Sequence, residues 1–453
     1  MKAGSFALSC AVLLAIGHTV HAEALPDAPP PPTAAQPTPD AGAPAPLDTA
    51  AELADLKRRV EILGQELENQ RVGAAPTAPV GSIEPGLSPA AGKVYGSKGG
   101  LSIGGYGETI LSVYDTHLQN GRRDPTSNLA DTLRAVLYVG YKFTDWLVFD
   151  SEYEFEHSGF SDEHAEGEAI VEFAWLDFLI TPWFNIRAGQ VLLPIGWINE
   201  LHEPPIFLGV NRPVLEQESS IIPTSWHEIG VGFHGELPLN LNYRAYVLNG
   251  LNSANFNADG SGSIGPGRQD GHQAIANKPA FTGRLDWRPF PGMTLGGSFY
   301  VGNSNQAPAS TPVWTTLWEL HAEYRGYGFQ ARAIYVRMTN SPAGVESYGP
   351  TSPAFSVGTL QSGGYVEAGY DVLSLVPSIP MAFIPFVRVE RLNTQQAVVA
   401  GAVANPANQQ TVVTVGINYK PIPQVAIKTD YMFNMNGATT GRNQYDLGIA
   451  YLF

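Results

Sequence analysis

From Leu101 onward the chain repeats one pattern, runs of about ten residues in which apolar and polar side chains alternate between turn residues. Successive side chains of a strand point to opposite faces, so each run makes a ribbon with one apolar and one polar side. Leu147, Phe149, Ser151, Tyr153 and Phe155 share one face; Val148, Asp150, Glu152, Glu154 and Glu156 share the other. In the last run Tyr445, Leu447, Ile449, Tyr451 and Phe453 oppose Gln444, Asp446, Gly448 and Ala450. Val413, Val415, Ile417 and Tyr419 oppose Thr414, Gly416, Asn418 and Lys420. A soluble sandwich also alternates, but there the apolar faces meet in a core. Here the opposite faces are small and polar, which suits a wet interior.

The pattern predicts sixteen strands: 101–115, 129–143, 145–157, 168–180, 183–192, 226–237, 239–250, 280–290, 293–303, 314–325, 327–340, 362–375, 381–392, 410–420, 423–435 and 442–453. Connections alternate short and long. Thr144, Thr181-Pro182, Pro238, Pro291-Gly292, Gly326 and Pro421-Ile422 are short; 116–128, 193–225, 251–279, 341–361 and 393–409 are long. Outer-membrane barrels have short periplasmic turns and long outer loops, and with both termini periplasmic these short connections fall on the periplasmic side. Tyr141, Phe143, Trp146, Trp183, Phe184, Trp287, Phe290, Tyr327 and Tyr419 flank those turns, where amphipathic rings meet a membrane interface. The 48 Gly and 36 Pro exclude a helical bundle, and beyond residue 22 no apolar run approaches a membrane helix. In hydrocarbon every backbone N–H and C=O must be paired, so extended chain must close on itself. Sixteen strands leave room for an aqueous channel. The expected fold is all-β: a sixteen-stranded antiparallel transmembrane β-barrel over 101–453, preceded by a short coiled-coil helix.

Ahead of the barrel, Lys2, an apolar stretch from Phe6 to Gly17 and Val20-His21-Ala22 predict a signal peptide, 1–22. Residues 23–48 read as a Pro/Ala-rich linker. Over 49–72, Leu53, Leu56, Val60, Leu63 and Leu67 recur at spacings of three and four, a coiled-coil seam. Glu52, Lys57, Glu66 and Arg71 flank it and suit interchain ion pairs. A helix this short is marginal alone, so it is expected to self-associate. Residues 73–100 read as a Gly/Pro-rich linker.

The longest connection, 193–225, mixes Ile206, Phe207, Leu208, Ile221 and Ile222 with Glu200, His202, Glu203, Arg212, Glu216 and Glu218. An exposed loop has no reason to carry Pro-Pro-Ile-Phe-Leu. Folding inward would bury those groups against the wall and set the charges in the channel, as a constriction. The wall should add Asp150, Glu152, Glu154 and Glu156, with Arg134, Arg187, Arg244, Arg284, Arg288, Arg332 and Arg388 also facing in. Opposed acidic and basic rows order water and polar solutes, or pair with one another. The formal charge of −16 suggests weak cation preference and argues against nucleic acid.

The N-terminal arrangement, Ile103-Gly104-Gly105-Tyr106-Gly107-Glu108, and Ile186-Arg187-Ala188-Gly189-Gln190 running on to Leu193-Pro194-Ile195-Gly196 resemble the phosphate-selective porin O/P family of Gram-negative outer membranes. The resemblance covers most of 101–453 and implies a homotrimer of sixteen-stranded barrels, each with a loop-lined pore. Phosphate selectivity does not carry over: it relies on a basic pore, and this chain has no lysine between Lys142 and Lys278.

The expected function is passive diffusion of small hydrophilic solutes and ions across the outer membrane, with no cofactor. The partners are outer-membrane lipid, further copies of the chain and, through the N-terminal segment, the cell wall. The competing reading is a barrel hydrolase with a site in the outer loops. His117, His157, His164, His202, His227 and His272 could supply a base, but no Ser/His/Asp or HExxH spacing appears. Acidic residues such as Asp162, Glu163, Glu166 and Glu168 could hold Ca²⁺, though a solvated loop explains them as well. No metal site is assigned.

Overall fold

The computed structural model describes residues 86–157, 167–256, 260–308, 311–343, 357–376 and 378–453. The signal peptide, the Pro/Ala-rich linker and the coiled-coil segment lie outside the described residues. Sixteen strands follow in order: β1 (Gly100–Tyr114), β2 (Leu129–Thr144), β3 (Leu147–Glu156), β4 (Glu168–Thr181), β5 (Phe184–Leu192), β6 (His227–Leu237), β7 (Leu241–Asn249) and β8 (Pro279–Trp287). They continue as β9 (Met293–Asn303), β10 (Trp314–Gly326), β11 (Phe329–Asn340), β12 (Leu360–Tyr370), β13 (Ala382–Ala397), β14 (Gln409–Ile422), β15 (Val425–Asn436) and β16 (Gln444–Leu452). Each pairs antiparallel with its neighbours, and β16 returns to β1 from Tyr106↔Leu452 to Tyr114↔Gln444, closing the barrel. Closure leaves no edge strand among the described residues.

Alternation sets the two faces. On β16 the outward Ile449 is 53% exposed, while the inward Asp446 is 0% exposed. Tyr141, Phe143, Trp146, Trp183, Trp287, Phe290 and Tyr327 stand exposed near the short turns; Phe184 and Tyr419 are half-buried.

Strand ends differ from expectation where side chains cap the backbone. The expected strand 362–375 stops at Tyr370, because Asp371 accepts from the Leu373 and Phe383 amides and starts a 3-10 turn, Val372–Leu375. One bulge breaks strict alternation. Glu152 pairs with Phe173 and Tyr153 with Val171, so Glu172 is an extra residue on β4. Glu172 and Phe173 therefore both turn inward, each 1% exposed.

The expected linker 73–100 is corrected where it is described. Leu87, Ala90, Ala91, Val94 and Tyr95 are buried, with a 3-10 turn at Ala91–Val94. Val94 packs over Gly140 on the inner face of β2, where a Cβ would collide with it. Small and apolar residues read as linker because their cover comes from the barrel interior, which composition does not register.

Candidate functional site

The inner face carries the charges, and the arginines expected there are matched to acids. Arg134 on β2 faces Glu108 at 3.2 Å, Glu154 at 3.5 Å and Glu156 at 3.5 Å. Arg187 on β5 holds Asp177 at 2.7 Å, and His234 reaches the other oxygen of Asp177 at 2.7 Å. Arg244 bridges Glu200 and Asp286, each at 2.8 Å. Arg284 also holds Asp286, at 2.9 Å, and His321 lies between Asp286 and Glu319. Arg332 pairs with Glu323, and Arg388 with Glu367 and Glu390. Asp150, Glu152 and Glu154 are buried; Glu156 is half-buried. Arg288 is the exception. It keeps the parity of Arg284 and Asp286 but stands beyond the end of β8, exposed. It belongs to the turn-side rim, where its amide donates to Asn240, and is no part of the strand wall.

Segment 193–225 is bonded to that same inner face. The Leu215 amide donates to Glu390 on β13, and the Val210 amide to Asp430 on β15. Lys428 Nζ donates to the carbonyls of Pro204 (2.5 Å) and Gly209 (2.8 Å), with its ammonium 3.9 Å from the Phe207 ring centroid. Lys420 donates to Pro205 at 2.6 Å. Leu193, Ile195, Leu215, Ile221, Ile222 and Trp226 are each 0% exposed and form one apolar cluster with wall rings such as Tyr300 and Tyr365. Burying such side chains contributes about 1.5–3 kcal/mol each, which offsets the cost of enclosing the polar ones. The expectation of a wet interior is corrected to this extent: around 193–225 the wall meets protein, part apolar and part ion-paired.

The six charged or polar residues singled out in the segment have distinct settings. Glu200 takes Arg244. Glu203 accepts the amides of Ala90 (2.8 Å) and Ala91 (3.2 Å), joining the segment to the chain ahead of β1. Arg212 donates to Thr224 at 2.7 Å. Glu216 accepts from the Trp197 amide at 2.6 Å, the Ile198 amide at 3.0 Å and the Tyr365 hydroxyl at 2.8 Å. Burial nevertheless lifts its carboxyl above the ordinary range, with those donors pulling it back. His202 meets Glu152 at 3.0 Å. Glu218 differs: it is exposed and holds Arg268 at 2.8 Å at the segment's outer side.

Several interior residues escaped the sequence. Glu172 sits on the outward parity of β4, and only the bulge turns it in. Tyr95 lies in apparent linker, yet its hydroxyl donates to Asp177 at 2.8 Å. Asp177, Glu390, Lys428 and Asp430 do fall on inward parity, and alternation alone could have found them.

No protein-family model matches the sequence. An uncharacterised protein of Aquifex aeolicus is 35% identical over 353 residues, covering 77% of this chain and 78% of that one. Among solved structures, Salmonella typhi OmpF in complex with daunomycin aligns with TM-score 0.54 at 14% identity, over 78% of this chain and 98% of that one. The outer-membrane channel DcaP of Acinetobacter baumannii aligns with TM-score 0.47 at 12% identity, over 79% of this chain and 99% of that one. The Salmonella alignment agrees with the barrel fold. A closed wall, apolar outside and ion-paired inside, places this chain in the outer membrane.

Proposed function

The chain belongs to the same family as the Aquifex aeolicus protein, and we propose that it is an outer-membrane channel for passive diffusion of small hydrophilic solutes and ions, narrowed by segment 193–225. The observation that carries this is the bonding of 193–225 to the inner wall on opposite sides of the barrel, to Arg244 on β7 and to Lys428 and Asp430 on β15. Anchored that way, the segment spans the lumen and sets the size of the path. Charged groups beside it, Arg244, Arg284 and Glu200, supply the local field a polar solute meets. The short motifs shared with phosphate-selective porins O and P support a homotrimer, and contact of the residues before 86 with the cell wall extends the same reading.

Planar-bilayer recording of the purified full-length chain tests it. The expected result is stable, small conductance in steps of three that rises when the anchors of 193–225 are removed. Absent conductance from folded protein, with hydrolytic activity toward peptides or esters, would overturn the channel in favour of a barrel enzyme.

A further inference from the structure

We propose that Glu152, Glu172 and His202 form a site for one small divalent transition-metal ion, Zn²⁺ foremost, which ties segment 193–225 to the barrel wall. The three come from β3, β4 and the segment, and their candidate ligand atoms all lie within 4.8 Å of one another. Glu172 reaches the site only because of the β4 bulge, and bulges recur where a strand re-aims a side chain for function.

The imidazole is oriented for it. His202 Nδ1 lies 3.0 Å from the Asn199 carbonyl and donates to it. That bond fixes the tautomer, so in the neutral ring Nε2 presents a lone pair. The lone pair faces the Glu152 oxygens at 3.0 and 3.2 Å and Glu172 Oε2 at 3.4 Å. Three electron-rich atoms converging at these distances repel unless a positive charge sits among them. Around a tetrahedral Zn²⁺ with bonds near 2.0–2.1 Å, neighbouring ligand atoms are roughly 3.3 Å apart. The distances from Nε2 to the carboxylate oxygens fall about that value, and all the candidate ligand atoms lie within 4.8 Å of one another.

Charge points the same way. Asp177 has Arg187, and Asp286 has Arg244 and Arg284. Neither Glu152 nor Glu172 has an ion pair with arginine or lysine among the described residues, and the nearby Arg134 is shared by Glu108, Glu154 and Glu156. Oε2 of Glu172 accepts no hydrogen bond, although the residue is only 1% exposed. One imidazole among carboxylates suits zinc and its neighbours better than calcium or magnesium, which take all-oxygen shells. Closed on every side, the site is a structural one. Its effect on passage rests on the channel reading; its existence does not.

The test uses the full-length chain in detergent, stripped with EDTA, re-exposed to Zn²⁺ and assayed for bound metal. Wild type is expected to retain about one zinc per chain, with an X-ray absorption edge showing one imidazole in a nitrogen/oxygen shell. Glu172→Gln and His202→Gln should weaken binding by roughly 100-fold or more, each variant first checked for heat-modifiable electrophoretic migration of a folded barrel. If one variant misfolds, the other decides. Folded wild type that takes up no stoichiometric zinc, or Glu172→Gln that binds like wild type, overturns the site. So does a histidine resonance showing His202 as an imidazolium paired with Glu152 in zinc-saturated protein. Bilayer conductance before and after chelation is read separately: zinc bound with conductance unmoved leaves the site standing and removes the narrowing role.

Discussion

Arg388 shows how the interior tolerates charge. Its guanidinium spans Glu367 at 3.2 Å and Glu390 at 2.9 Å, and Glu390 in turn accepts the Leu215 amide of segment 193–225. Removing the arginine strands two buried carboxylates, so Arg388→Ala is expected to destabilise the barrel by about 3–5 kcal/mol, read as a lowered urea midpoint in detergent. Glu216 gives a pH handle. Its carboxyl is lifted above the ordinary Glu value near 4.3 by burial, so the docked segment binds this proton more tightly than a free chain does. The stabilisation is therefore full below the ordinary value and is lost as pH rises through the lifted one. Tyr365 and Glu319 are the titratable groups facing it, and Glu319 adds to the lift. Protease cleavage within 193–225 should increase as pH is raised, and Glu216→Gln, which stays neutral, should flatten that dependence. An unchanged slope in the variant assigns the effect elsewhere. Gly196 explains part of the Leu-Pro-Ile-Gly run: at φ +75° a Cβ would strike the Glu216 carboxylate.

At the scale of elements, two segments pack on residues of the strand wall. The burial of the apolar clusters of segment 193–225, Ile206-Phe207-Leu208 and Ile221-Ile222, was legible because they make no sense in water. The segment's partners were not: alternation says which side chains point inward, not how far across the barrel each reaches. Segment 86–98 was illegible for the opposite reason, since Ala90, Ala91 and Val94 are too small to announce burial and match a cavity defined by other strands. The bulge at Glu172 was hidden because a one-residue insertion leaves composition unchanged and only shifts register. If Lys420 and Lys428 hold segment 193–225 by its carbonyls, Lys420→Met with Lys428→Met should raise single-channel conductance and protease access to 193–225 while leaving the barrel folded. Val94→Asp should free segment 86–98, since an aspartate over Gly140 would be buried without a partner. Protease cutting near residue 94 in Val94→Asp but not in wild type is the check. Equal cutting in both places the segment outside the barrel in membranes.

At the scale of the whole molecule, sixteen strands and their closure were readable from period and loop length alone, because a transmembrane wall repeats one physical demand, apolar out and polar in, at every step. The net charge was readable too, but not which of its charges pair. A formal −16 suggests only a weak cation preference, and Arg187, Arg244, Arg284, Arg332 and Arg388 are paired with acids on the inner face. Paired charges act as local dipoles, and their field falls off faster than that of an isolated ion. Part of the surplus negative charge is also exposed, as at Asp145, 99% exposed, and Glu218, 73% exposed, where salt screens it beyond roughly 10 Å. The reversal potential in a tenfold KCl gradient is thus expected to favour K⁺ only modestly, well short of the roughly 59 mV of an ideally selective pore. Glu218→Gln should leave it nearly unmoved, because that carboxylate lies at the outer side and holds Arg268. Glu200→Gln should shift it toward Cl⁻, because it leaves Arg244 and Arg284 with one acid, Asp286, between them. A near-ideal cation potential in wild type, or equal shifts from the two variants, would mean that the ion path does not run past the Arg244–Arg284 group.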